Sequence, residues 1–433
     1  MISLLLKNGT CAALSPPTLD RVDLRIVDGV IIERGRDLQP AEGDRVEDMA
    51  GKILMPGLVC AHTHLYSSLA RGMPGPETPP QSFLGILEKI WWKLDRALDA
   101  DTIYLSALAG ALEAVRCGVT TVVDHHSSPN AINGSLLLVK KALAEVGLRG
   151  ILCYEVSDRD GIRPRDKGLA ENEEFLKRHL TDQMYRGLVG GHASFTLSDE
   201  SLRSIGDIAE RYDTGVHIHV AESDADPWVT ETKYGRQILD RLGAFGILRR
   251  KSLFAHCIHL SPSEFARLRL SGPWLIHNPR SNMNNRVGHA PLREFGARAA
   301  LGTDGFVPDM FEELRFAYFR NREGEDGQDC LQFLDNGQLL VSEVFGRRFG
   351  ALLEDAPADL VVMDYQAPTP MTTENFSSHV IFGFRSASIE SVMANGRWIF
   401  RNRRFVTVKE QEIASATSEA ARRLWSAMHA IKV

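Results

Sequence analysis

Eight short apolar runs, each closing on polar residues, constrain this chain more than any other feature. They read LVCAHTH, TTVVDHH, RGILCYEV, GLVGGHASF, GVHIHVAES, KSLFAHCIHL, PWLIHNPRSN and RAALGTDG. Helix-like segments separate them, among them residues 107–115, 134–146, 198–212 and 262–270. Ser198-Asp199-Glu200 and Ser261-Pro262 supply helix starts, the second with proline at the first helical position. Strands that alternate with helical crossovers lie parallel. Eight of them predict an α/β fold, a distorted (β/α)8 TIM barrel, whose polar strand ends converge on one mouth.

The flanks follow another rhythm. Residues 1–57 alternate short β runs with Gly turns (ISLLLKNG, VDLRIVDGVIIERG, VEDMAGKILMPG), and the β pattern returns in ADLVVMDY, SHVIFGF and SIESVMANGRWIFRNRRFV. Each end alone is small for a stable core. We therefore expect residues 1–57 and 351–433 to build one composite β-sandwich around a barrel of residues 58–350. An amphipathic helix should run from Lys409 to Met428, and RNREGEDGQ, residues 320–328, should be an exposed loop.

A net charge of −6 and a pI near 6.2 offer no basic stripe for nucleic acid. Six scattered cysteines without a CxxC pair fit reduced thiols, and no apolar run is long enough for a bilayer. The expectation is a cytoplasmic protein with a small-molecule partner, neither nucleic acid nor membrane.

Chemistry concentrates at the strand ends. His62 and His64 are two residues apart, so both imidazoles project from one face of the first strand, an arrangement suited to a borderline metal such as zinc. The fourth strand ends in His192, the fifth carries His217, His219 and Glu222, the sixth His256, and the eighth Asp304. His217 shares a face with His219, and only one of them need touch a metal; His217 reads as structural or as a support. His125 and His126 read as lining groups, and Cys60 and Cys257 as packing. After Gly72 a proline-rich then aromatic stretch can cover the mouth. Its Trp91 and Trp92 either stack on a planar heterocycle or pack a helix onto the barrel.

PGLVCAHTH, GVHIHVAE, AHCIHL, HNPRSN and LGTDG together resemble the amidohydrolase superfamily, in the branch of cytosine, guanine and adenosine-type deaminases and related chlorohydrolases. WWKLDRALD, TTVVDHHSSP and LGTDGFVPDM are most similar to its SsnA group of aminohydrolases. The resemblance covers nearly the whole chain. It implies that His62, His64, His219 and Asp304 hold one divalent ion, zinc before iron, and that Glu222 shuttles protons. It further implies that His256 positions the attacking water, that His192 contacts substrate, and that the protein forms a homodimer. Two-metal members need a bridging lysine on the fourth strand, where GLVGGHASF has none.

The implied reaction is hydrolytic deamination of a purine-, pterin- or pyrimidine-like heterocycle by water activated at the metal. Lowering that water's pKa from 15.7 to about 7 is worth roughly 12 kcal/mol of hydroxide formation at neutral pH. The same machinery could displace halide or open a ring amide, and a catalytically silent binding barrel is a further alternative. A carboxylate three residues after a ligand argues for catalysis, because a binding module needs no shuttle.

Overall fold

The computed structural model describes residues 3–324, 330–350 and 352–431. Its barrel strands are Leu58–Thr63, Val119–His126, Arg149–Tyr154, Val189–Ala193, Val216–Val220, Leu253–His256, Trp274–His277 and Ala299–Leu301. They form two parallel sheets. The first three strands pair in order and continue into Tyr185–Gly187, and the fourth to eighth pair in order.

Two narrow seams join these sheets into a ring. At one, Val156 bridges Gly191, and the His192 amide donates to the Val156 carbonyl at 2.9 Å. At the other, Thr63 bridges Asp304. There the Thr303 amide reaches the His62 carbonyl at 2.8 Å, and the His64 amide reaches the Asp304 carbonyl at 3.2 Å.

Strand alternation sorts the apolar side chains into two cores. Leu58, Cys60, Val122, Leu152, Ile218, Phe254 and Leu275 belong to the large cluster shared with the surrounding helices. Val59, Ala61, Val123, Ile151, Cys153, Ile276 and Ala300 form a second cluster. On that alternation His62 would follow Cys60. However, the pairing of the first two strands slips between Cys60 and Thr63, where three steps on one strand face two on the other. The extra residue of this bulge lets His62 and His64 turn toward the fifth-strand histidines instead.

Both ends of the chain contribute to one nine-stranded sheet. Leu360–Met363 pairs antiparallel with Ile53–Pro56, which feeds the first barrel strand through Gly57. A side chain at Gly57 would meet Thr120 at 2.2–2.8 Å, so the passage requires glycine. The sheet curls back on itself: Val30 bridges Pro357, and the Ala358 amide donates to the Gly29 carbonyl at 2.9 Å. Enclosed within it lie Leu4, Leu24, Ile26, Ile31, Leu54, Leu360, Val362 and Met393.

The final helix, Glu410–Ala430, buries Ala420, Leu424 and Met428. In the stretch expected to be an exposed loop, the helix Met310–Glu323 continues through Arg320 to Glu323; residues 325–328 lie outside the described residues. Among the described residues no helix is long and apolar enough to cross a membrane.

One buried ion pair ties barrel to sheet. Arg149, on the third barrel strand, meets Asp359 at 2.9 Å with both side chains at most 3% exposed, and the guanidinium covers the Phe349 ring at 4.7 Å. Removing one partner strands a buried charge, at a cost of about 3–5 kcal/mol. Asp359→Leu should therefore lower the urea midpoint strongly, and adding Arg149→Met should recover most of the loss.

Candidate metal centre and active site

The bulge and the eighth-strand seam bring the expected donors together. Asp304 Oδ1 lies 3.0 Å from His64 Nε2 and 3.5 Å from His62 Nε2, and His64 Nε2 lies 3.2 Å from His219 Nε2. Donor atoms of His62, His219, His256 and Asp304 all lie within 4.8 Å of one another. Sequence reasoning placed His256 beside the ligands, and the structure brings it into the same cluster. Asp304 and His256 both have left-handed backbone, φ +55° and +73°, an uncommon conformation for such residues that turns their side chains out of strand alternation.

Hydrogen bonds behind the rings fix which nitrogen faces the centre. His64 Nδ1 donates to the His125 carbonyl at 2.7 Å, and His219 Nδ1 donates to the His192 carbonyl at 2.9 Å. A carbonyl only accepts, so each neutral ring keeps its proton on Nδ1 and presents a bare Nε2. His62 Nδ1 lies 2.8 Å from His217 Nε2, while its buried Nε2 has no hydrogen-bond partner among the described residues. His217 Nδ1 in turn lies 3.7 Å from Cys153 Sγ. The donor set, three lone pairs and a carboxylate converging at short range, fits a divalent cation.

The titration behaviour has the same sense. Burial opposes charge on His64, yet the adjacent Asp304 carboxylate prevails and lifts the ring to about 9. On His62 burial prevails, and the ring falls to about 3. Burial likewise opposes ionisation of Asp304, but the adjacent His62 and His64 imidazoles hold it well below the usual carboxylate range.

Glu222 follows the fifth strand. Its Oε1 accepts from Asn285 Nδ2 at 3.3 Å, and its Oε2 lies 3.5 Å from His256 Nε2. Burial pushes its carboxyl up to about 7. His256 Nδ1 donates to Asn282 Oδ1 at 2.8 Å, which turns Nε2 toward Glu222.

Ser281 Oγ donates to Asp304 Oδ2 at 2.5 Å, and Asp226 accepts from the Ala221 and Phe195 amides at 2.8 and 3.1 Å. Asp124 accepts from the Leu65 amide at 2.7 Å, just past His64. Of these supports Ser281 and Asn282 lay inside the motif HNPRSN and Asp124 inside TTVVDHHSSP, though neither motif assigned them a role; nothing in the sequence marked Asp226.

A cavity of about 590 Å³ opens over the cluster. His64, His192, His219, Glu222 and Asp304 line it, together with Trp91 and Trp92 from the segment after the first strand. His192 also holds its Nδ1 2.7 Å from Thr196 Oγ1. His125 and His126, expected as lining groups, are instead fully buried. His125 serves through its carbonyl and sets its own Nδ1 3.2 Å from Glu155, while His126 lies 2.9 Å from Ser128 Oγ. Cys60 and Cys257 are packed in the main core.

The chain has relatives along nearly its whole length. It is 29% identical over 422 residues to the 5-methylthioadenosine/S-adenosylhomocysteine deaminase of Pyrococcus furiosus, covering 95% of this chain and 98% of that one. It is also 29% identical over 398 residues to the 5'-deoxyadenosine deaminase of Methanopyrus kandleri, covering 88% and 89%. Among solved structures, an adenosine deaminase from Xanthomonas campestris with bound zinc superposes with a TM-score of 0.86 at 21% identity, over 98% of both chains. A zinc-bound atrazine chlorohydrolase from Arthrobacter aurescens reaches 0.83 at 21% identity, over 96% of this chain and 100% of the other. These two likenesses establish the shared barrel. The amidohydrolase family model matches residues 53–399, from the strand that feeds His62 to the hairpin after the barrel. A hydrolase by that descent, the chain belongs to the amidohydrolase family.

Proposed function

We propose that this protein hydrolytically deaminates an aminated purine-, pterin- or pyrimidine-like ring. The observation that carries the reading is Glu222: a carboxyl poised near neutrality, 3.5 Å from His256 and on the rim of a cluster of inward-facing donors. An acid–base group working at neutral pH needs that poise. Support also comes from full-length relatives named as deaminases.

His62, His64, His219 and Asp304 would hold one divalent ion, zinc in preference to iron given three imidazoles and one carboxylate. When bound, such an ion is a Lewis acid that makes water nucleophilic at neutral pH. Glu222 takes one proton from the attacking water and hands it to the ring nitrogen, then passes the second, from the new hydroxyl, to the departing amine. His256, oriented by Asn282, fixes the water beside the ring carbon. Asp304 Oδ2, held by Ser281, accepts a hydrogen bond from the same water. The water oxygen bonds to the ring carbon, the exocyclic carbon–nitrogen bond breaks, and ammonia leaves with the transferred proton. His192 lies on the cavity wall where it can contact the ring.

A panel of aminated purines, pterins and pyrimidines should release ammonia. Halide release from chlorinated analogues, or ring opening, without ammonia from any amine would overturn deamination. In the variants, His219→Ala should lose metal by plasma emission analysis. Glu222→Gln should keep metal and lose turnover by about 10²–10⁴-fold. Equal metal loss in both would make Glu222 a ligand. His217 supports His62 from behind, so His217→Phe should weaken zinc binding by about 10–100-fold in chelator competition, with the far-UV spectrum unchanged.

A further inference from the structure

One corner of the cavity is built from charges that the reaction does not use. Asp95, Glu155 and Arg159 line it, and their side chains are 1%, 3% and 8% exposed. Arg159 is the cation of this corner, and its guanidinium is already engaged. Nη2 binds Asp95 Oδ2 and, at 3.0 Å, Ser127 Oγ; Nη1 donates to Glu155 Oε1 at 3.1 Å; and Nε donates to Asp160 Oδ2 at 3.3 Å. Its face lies over the Trp92 ring at 5.3 Å. Arg96 also pairs with Asp160, at 2.7 Å. On the cavity wall itself two carboxylates, Asp95 and Glu155, thus stand beside one guanidinium whose donors are all committed.

Two buried polar atoms on these same lining residues lack a hydrogen-bond partner among the described residues: Asp95 Oδ1, an acceptor, and Trp92 Nε1, a donor. Leaving such groups unpaired is unfavourable, and a ligand that supplies partners would remove the penalty.

We infer that the Asp95–Glu155–Arg159 corner recognises a substituent on the heterocycle that carries hydroxyl or amino hydrogen-bond donors, and that it rejects anionic substituents such as phosphate. A donor on the ligand meets Asp95 Oδ1, and a ligand oxygen can accept from Trp92 Nε1. A phosphate would face surplus carboxylate and a guanidinium with no free edge to offer. The inference rests on the proposed function only in taking this cavity as the substrate chamber.

The test is binding, read by calorimetry on the zinc-replete protein with adenosine, 5'-amino-5'-deoxyadenosine, adenosine 3'-monophosphate and adenosine 5'-monophosphate. The amine should bind at least as tightly as adenosine. At least one phosphate isomer, the one whose phosphate reaches the corner, should bind about 100-fold more weakly, as like charges in contact cost several kcal/mol. Asp95→Asn should narrow that gap tenfold or more. Trp92→Phe, which removes only the orphaned donor and keeps an aromatic ring, should weaken adenosine about tenfold and leave the phosphate gap unchanged. Equal binding of all four probes, no binding of any, or a gap that Asp95→Asn does not move would overturn the inference. Should the binding order hold while no amine releases ammonia, the deamination reading fails and the corner's assignment stands.

Discussion

Two bare imidazole nitrogens 3.2 Å apart, with a carboxylate oxygen 3.0 Å from one of them, are an unfavourable arrangement in a buried space. Lone pairs face lone pairs, and only positive charge between them relieves the repulsion. The surrounding structure is arranged to maintain this conflict. The carbonyls of His125 and His192 take the Nδ1 protons of His64 and His219, so that each ring turns its Nε2 inward, and His217 lies against the outer nitrogen of His62. Rigidity behind the rings is what lets the centre stay assembled for a cation.

The site sits where barrel pairing is thinnest. The seam between the eighth and first strands is a single bridge at Thr63 and Asp304, and that between the third and fourth is a single bridge at Val156 and Gly191. His64 and Asp304 flank the first seam, and His192 the second. Regular pairing commits backbone groups to neighbouring strands and side chains to strict alternation. At the seams the chain is free to bulge at His62 and to turn left-handed at Asp304, so donors from different strands can aim at one point.

Much of this was legible in the sequence because candidate site residues lie close along the chain. His62 with His64, His219 with Glu222, and the isolated LGTDG each mark a strand end by themselves. The alternation of apolar runs and helical stretches was enough to indicate a barrel, confirmed by the family match and the solved neighbours. What the sequence could not yield depends on partners distant along the chain. Asp226 and Asp124 act by accepting backbone amides, and any buried aspartate could do so; only the fold says which amide it meets. His217 and His219 were indistinguishable by periodicity, since both point inward. The resemblance chose His219 over His217, and in the structure the His217 ring touches His62 while the His219 ring reaches past it to His64. His125 and His126 drew attention as histidines, whereas the contribution of His125 to the centre is a carbonyl oxygen, which every residue type carries.

The tryptophan of the last helix has a consequence for biosynthesis. Trp425 Nε1 donates at 2.8 Å to the carbonyl of Leu69, 356 positions earlier and one turn beyond His64. The sheet strand leading into the first histidine is likewise paired by Leu360–Met363. Contacts of such long sequence separation close last. On the ribosome, the turn beside His64 gains this brace only after Trp425 has emerged, so a cation arriving earlier meets a looser turn than one arriving later.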